Sequence, residues 1–359
     1  QEIREKYGDN RRSKIVAAED EFDDEDLIEE ESVAVTLTHL GYIKRVPADT
    51  YKAQRRGGKG ITGITTREND FVKDLIMTST HDYLLFFTDT GKVHKLKAYE
   101  IPEASRTAKG TPAVNLLNLM QKERITAIIP VSQFDDENYL IMVTKNGTIK
   151  KTALSQFDTN RKNGLIAINL KDDDSLIGVR ETCGDDNIIL VTRKGKCISF
   201  SEKDVRSMGR IAAGVRGIKL DKADTVVDMD ILENDKEILV VTQNGYGKRT
   251  PVKDYTIQAR GGKGVLTYNK SKFSKTGELI GAKVVDEDDE ILLINSDGII
   301  IRIRAEEVSK LSRSTQGVKI MRVDDDANIV AMAKVIKEDD TNQEKDEDGQ
   351  IKFEDSRKA

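Results

Sequence analysis

The chain has 359 residues, with 58 Lys and Arg against 63 Asp and Glu, a formal net charge of −5 and two cysteines. That length suits one large repeat domain or two ordinary ones. No run of about 18 apolar residues is present to span a bilayer and no secretory apolar segment occurs, and Cys183 and Cys197, both in strand-like patterns, read as buried free thiols of a cytoplasmic protein.

Taken in chain order, residues 1–31 hold 13 acidic and 5 basic residues. The chain opens on Gln1 rather than Met and continues Glu2-Ile3-Arg4-Glu5-Lys6-Tyr7-Gly8, as expected of a piece of a longer protein. With the acidic run from Glu19 to Glu31, this segment reads as a partly disordered linker, because blocks of like charge repel and stay solvated. Residues 337–359 hold 9 acidic and 5 basic residues and read as an acidic tail. The domain between them, residues 32–336, is left with a formal charge of +7. The overall negative charge therefore hides a basic domain between two acidic segments that could compete with a polyanion for its cations.

Within that domain one grammar repeats. An apolar run, a turn ending in glycine and a second short run recur, with turn glycines Gly41, Gly91, Gly147, Gly195, Gly245 and Gly298. In the third unit Tyr139-Leu140-Ile141-Met142-Val143-Thr144 predicts a buried strand, and Lys145-Asn146-Gly147 a hairpin turn. Thr148-Ile149-Lys150-Lys151 is the return strand, Leu165 to Leu170 predict a third strand and Ser175 to Cys183 a fourth. Tyr83–Thr88 with Val93–Leu96, and Glu290–Ile294 with Ile299–Ile303, follow the same pattern in the second and sixth units. No helical period is sustained. A repeat of about 50 residues lies in the propeller range. The expectation is an all-β ring of six radial, four-stranded antiparallel blades, each too small to stand without its neighbours.

The first unit contains Gln54-Arg55-Arg56-Gly57-Gly58-Lys59-Gly60, three cations and three glycines in seven residues. Glycine lets backbone amides approach a flat anionic surface, Arg offers planar forks of donors and Lys a point charge. The loop suits a sugar-phosphate backbone; a solvated turn is the plainer alternative. It recurs as Gln258-Ala259-Arg260-Gly261-Gly262-Lys263-Gly264, with weaker echoes ending at Gly110, Gly164, Gly214 and Gly317. The expected phosphate ligands are Gln54, Arg55, Arg56, Gly57, Gly58, Lys59, Gly60, Arg106, Lys109, Arg161, Lys162, Arg210, Arg216, Arg260, Lys263 and Arg313. Cations that follow the hairpin turns, Lys44, Arg45, Lys95, Lys150, Lys151, Lys248, Arg249 and Arg302, form a second set, equally readable as guards of strand edges.

Nothing in the pattern points to chemistry. The nine tyrosines have no acidic magnesium cluster beside them, His39, His81 and His94 lie in or beside strands, and Gly58-Lys59-Gly60 lacks the hydroxyl a phosphate-binding loop uses to hold Mg²⁺. No catalytic residue, metal or cofactor is expected in this domain.

Gln54 to Gly60 is the same as the box that marks the C-terminal domain of bacterial DNA gyrase A. The six-fold repeat with Thr/Asn-x-x-Gly turns also resembles that domain, and Glu2 to Gly8 resembles the segment joining it to the cleavage core. This resemblance covers nearly the whole chain. It implies a six-bladed β-pinwheel, a propeller-like ring with strand connections unlike those of ordinary propellers. It further implies that duplex DNA wraps the outer rim so that an ATP-dependent type IIA topoisomerase can introduce negative supercoils. The catalytic tyrosine and ATPase site would lie outside the chain. The implied partners are duplex DNA, the rest of gyrase A and the gyrase B protein, in the bacterial cytoplasm at the nucleoid, with no membrane. The paralogous domains of topoisomerase IV carry eroded boxes, so the intact box favours gyrase. A propeller-like protein-interaction scaffold, and a propeller that binds glycans or phospholipids, remain as other readings.

Overall fold

The computed structural model describes residues 2–8, 24–48, 70, 72–105, 107–159, 161, 164–297, 299–324 and 326–335. A short helix α1 (Glu2–Tyr7) precedes the strands, and α2 (Phe273–Thr276) is a single turn in the fifth unit. The first unit supplies β1 (Ser32–Thr38), β2 (Tyr42–Pro47) and β3 (Val72–Ser79). The second supplies β4 (Tyr83–Thr88), β5 (Lys92–Lys97), β6 (Thr111–Pro112) and β7 (Ile125–Val131). The third comprises β8 (Tyr139–Thr144), β9 (Thr148–Ala153), β10 (Leu165–Ile166) and β11 (Leu176–Thr182). The fourth comprises β12 (Asn187–Thr192), β13 (Lys196–Ser201), β14 (Val215–Arg216) and β15 (Val226–Leu232). Next come β16 (Glu237–Thr242), β17 (Tyr246–Pro251), β18 (Val265–Leu266) and β19 (Leu279–Val285), then β20 (Glu290–Asn295), β21 (Ile300–Arg304), β22 (Val318–Lys319) and β23 (Ile329–Val335).

The hairpin turns form as their sequence predicts. Four first strands end on Thr38, Thr144, Thr192 and Thr242, whose Oγ1 accepts the main-chain N–H four residues on at 3.0–3.2 Å; Asn295 Oδ1 does the same for Ile299 at 2.8 Å, while at the end of β4 the Thr88 hydroxyl bonds Glu123 Oε1 at 2.6 Å. A hydroxyl that pairs with backbone locally competes with the ladder and favours a turn. The register slips by one residue at this position in every sheet.

The sheets correct the expectation that a unit is a blade. Their strand orders are β3-β1-β2-β6, β7-β4-β5-β10, β11-β8-β9-β14, β15-β12-β13-β18 and β19-β16-β17-β22, all antiparallel, with β23-β20-β21 as the sixth among the described residues. The fourth, outermost strand of each four-stranded blade therefore comes from the next unit. It is also shorter than Leu165 to Leu170 suggested: only Leu165 and Ile166 pair, with Val93 and Lys92. At the centre β3, β7, β11, β15, β19 and β23 lie side by side, and β23 packs against β3, closing the ring.

The core lies between blades. On β8, Leu140 and Met142 pack with Leu85 and Phe87 of the second unit, while Ile141 and Val143 pack with Ile188 and Leu190 of the fourth. Ile189 and Val191 then meet Ile238 and Val240, and Leu239 and Val241 meet Ile291 and Leu293. Both faces of each first strand are buried, which explains continuous apolar runs in place of alternation. Burying one such side chain stabilises by about 1.5–3 kcal/mol, and the repeated layers tie each blade to its neighbours.

Candidate nucleic-acid interface on the rim

Among the described residues the loops closing at Gly110, Gly164, Gly214, Gly264 and Gly317 lead directly into the short outer strands, so each of these rides on the blade of the preceding unit. Their closing glycines show why. Gly264 has φ +67°, and a Cβ there would stand 2.2 Å from the Cys197 carbonyl oxygen; at Gly214, with φ +88°, it would stand 2.7 Å from that of Ile149. Gly57, Gly58 and Gly60, the glycines expected to let backbone approach an anionic surface, lie outside the described residues; at Gly264 and Gly214 the missing side chain serves a second need. The space is needed inward, where the chain turns tightly onto the second strand.

Of the expected phosphate ligands, Gln54 to Gly60, Arg106 and Lys162 lie outside the described residues. Arg161, Arg216 and Lys263 are exposed at the rim. Lys109 is half-buried, its ammonium 3.7 Å from the Tyr42 ring centroid. Arg210, Arg260 and Arg313 are half-buried and engaged: Arg210 Nη1 donates to the Gln156 carbonyl at 2.9 Å, Arg260 Nε to that of Asp204 at 3.0 Å and Arg313 Nη1 to that of Asp254 at 2.9 Å.

The second set of cations is corrected at every position but Arg302. Lys44, Lys95, Lys150, Lys151, Lys248 and Arg249 are buried. Arg45 is half-buried, with its guanidinium on Glu31 at 3.2 Å and Glu103 at 3.5 Å. Only Arg302 is open, and it pairs with Glu290. The buried ones sit on the second strands, one strand in from the rim, beneath the loops that cross from the next unit. Lys44 Nζ donates to the carbonyls of Ser105 and Ala108 at 3.1 and 3.0 Å. Lys150 Nζ donates to Ala167 O at 2.6 Å and to Arg210 O; Lys248 Nζ donates to Ser312 O at 2.7 Å and to Arg313 O. Burial, reinforced by Arg210, lowers Lys150 to about 8. Burial likewise lowers Lys248 to about 7, with Cys197 opposing and Arg313 adding to the shift. His94 and Ile198 occupy the same strand position in β5 and β13.

The cysteines divide. Cys197 is buried and its thiol is pushed up to about 12 by burial, whereas Cys183 is exposed just past β11, correcting its expected burial. Sequence reading also missed Lys171 and Lys219. With Arg216 they line an open groove of about 540 Å³ between the third and fourth units, alongside Asp172 and Asp174. Asp174 Oδ1 is occupied by the main-chain N–H groups of Asn146 and Ser175, both at 2.9 Å. No composition signal marks these lysines, because loops carrying both charges are ordinary solvated surface. Among the described residues no group of three or more His, Cys, Asp or Glu is placed to hold a metal, and no helix is long and apolar enough to cross a membrane.

These features define a six-bladed antiparallel propeller with exchanged outer strands and cationic rim loops. The chain belongs to the family described as the DNA gyrase C-terminal domain, beta-propeller, whose model matches residues 34–79, 82–132, 138–183, 186–233, 236–286 and 289–336, one segment per unit. It is 52% identical over 347 residues to the DNA gyrase A protein of Clostridium acetobutylicum, covering 97% of this chain and 42% of that protein. It is 43% identical over 341 residues to the DNA gyrase A protein of Mycolicibacterium smegmatis, covering 94% and 40%. The chain thus spans about two fifths of the length of these relatives. The fold is similar to a solved C-terminal domain of DNA topoisomerase IV, with TM-score 0.76, 28% identity and coverage of 86% of this chain and 94% of that one. It is also similar to a solved DNA gyrase A C-terminal domain, with TM-score 0.68, 31% identity and coverage of 85% and 100%.

Proposed function

We propose that this chain is a non-catalytic, DNA-wrapping domain of a gyrase A protein, working with the rest of that protein and with gyrase B in the bacterial cytoplasm, and needing no cofactor of its own. The observation that supports this best is the placement of Arg161, Arg216 and Lys263, exposed on successive blades at the outer edge of the ring. A compact domain of about 305 residues has a radius of roughly 25 Å. DNA on its rim would follow an arc of radius about 35 Å, and a full turn there costs on the order of 25 kcal/mol elastically. One loop cannot offset that; cations spread over six blades, each releasing counterions, can. Contacts of this kind position DNA without reading its sequence.

Salt dependence tests the reading. With about eight phosphates engaged, log K against log salt has a slope near −7, and a slope shallower than about −2 rejects wrapping. The triple substitution Arg55→Ala, Arg56→Ala, Lys59→Ala keeps affinity within roughly tenfold, since three contacts among many are lost, but abolishes most DNA bending in end-to-end FRET. In the reconstituted enzyme it removes negative supercoiling and leaves relaxation. A topoisomerase IV role is the second reading, favoured by the higher TM-score to that domain. The intact Gln54–Gly60 heptad supports gyrase, and a reconstituted enzyme that only relaxes DNA overturns it.

A further inference from the structure

Arg210, Arg260 and Arg313 each stand four residues before the closing glycine of their loop, at Gly214, Gly264 and Gly317. Each donates to a main-chain carbonyl of the preceding unit, and the three acceptors are equivalent. Gln156, Asp204 and Asp254 are each the third residue of the 3-10 turn that follows the second strand: Leu154–Phe157, Glu202–Asp204 and Val252–Asp254. Arg260 also donates through Nη1 to the Arg216 carbonyl, so its fork bridges two points of that unit. The Nε atoms of Arg210 and Arg313 are buried. A second tie recurs in step. The main-chain N–H groups of Asn169, Lys219 and Asn269, three residues past each outer strand, donate to Ala212, Gly262 and Thr315 of the next loop at 3.2, 2.8 and 3.3 Å. The ammonium of Lys150 or Lys248 supplies a third tie from below in two of these loops.

We propose that these three arginines are positioning residues that bolt the rim loops closing at Gly214, Gly264 and Gly317 to the blade before each and so set the curvature imposed on DNA there, leaving phosphate contact to exposed neighbours such as Arg216 and Lys263. The inference rests on the wrapping reading for its consequence, not for its geometry. An arginine held to the neighbouring unit's carbonyls, through one Nη1 in Arg210 and Arg313 and through Nε and Nη1 in Arg260, is oriented by the protein, and its charge reaches a phosphate only in part. Lysine retains the charge but not the planar fork, so the exchange is not conservative at such a site.

The experiment compares Arg→Lys and Arg→Gln at all three positions, and at Arg260 alone in case the triple variants do not fold. Amide exchange is read at Asn169, Lys219 and Asn269 without DNA, alongside the salt slope and the FRET bend with duplex DNA. Bolting predicts that both triple variants speed exchange at these amides at least tenfold and lose at least half of the bend. The Lys variant keeps the wild-type salt slope. Unchanged exchange and an unchanged bend in the Lys variant, with the slope of the Gln variant shallower by about 3, would mean that the arginines are phosphate ligands and overturn the inference. Faster exchange in variants of a wild-type chain that does not bend DNA would support the bolt and reject the wrapping reading.

Discussion

The rim and the layer one strand inside it use the same residue types for opposite ends. Lys263 and Arg216 are exposed, while Lys150 and Lys248 are fully buried under loops that cross from the next unit. A cation at the rim costs almost nothing to keep charged and gains only when an anion arrives. A cation beneath the loop is desolvated at all times, and its hydrogen bonds to carbonyls hold that loop in place. A basic residue near the edge of such a ring is thus not evidence of a ligand contact until its layer is known.

Substitutions in the two layers should separate cleanly. The largest effect is expected at the boundary, from Gly264→Ala. Its Cβ meets the Cys197 carbonyl at 2.2 Å and its φ is +67°, so strain and clash cost about 2–4 kcal/mol in chemical denaturation. A loss under about 0.5 kcal/mol would show that the outer strand is dispensable.

Lys248 is next, and the sign of its pH dependence is diagnostic. Its folded pKa, about 7, lies below its ordinary 10.5. Between those values the unfolded chain binds more protons, so folding stability rises with pH through this window and is lowest below it. The gain by pH 10 is on the order of 3 kcal/mol. Lys248→Met should flatten that rise while freeing the carbonyls of Ser312 and Arg313. An unaltered pH profile in the variant would place the buried charge elsewhere.

A smaller effect belongs to the turns. Thr192→Val removes the Oγ1 acceptor of the Lys196 N–H at 3.1 Å and should cost about 1 kcal/mol, visible as a shift in urea midpoint. The smallest effect on stability comes from the rim itself. Lys263→Ala should change folding by less than about 0.5 kcal/mol and reduce the salt slope of DNA binding by about 0.9. A large destabilisation there would erase the distinction between the layers.

Much of the architecture was legible because it is local. Thr-x-x-Gly turns, apolar first strands and the spacing of closing glycines each involve residues within one hairpin, and they led to the count of six and the antiparallel pairing. The exchange of outer strands was not legible, because a two-residue strand such as Val215–Arg216 has no periodicity and its partner, Thr148–Ile149, lies in the preceding unit. The same gap hid the fate of the cations. Lys150 and Arg161 look alike in sequence, and only the crossing loop decides that one is covered and the other open.

By itself, then, the amino-acid sequence determined the repeat, the hairpins and the supply of cations on each unit, since these depend on short-range sterics and hydrogen bonding. Tertiary structure decided which blade each loop joins, which side chains are desolvated by that joining, and which guanidinium groups are committed to carbonyls of a neighbouring unit. Those outcomes depend on contacts roughly 50 residues apart in the chain, and at that separation no local preference distinguishes a ligand from a strut.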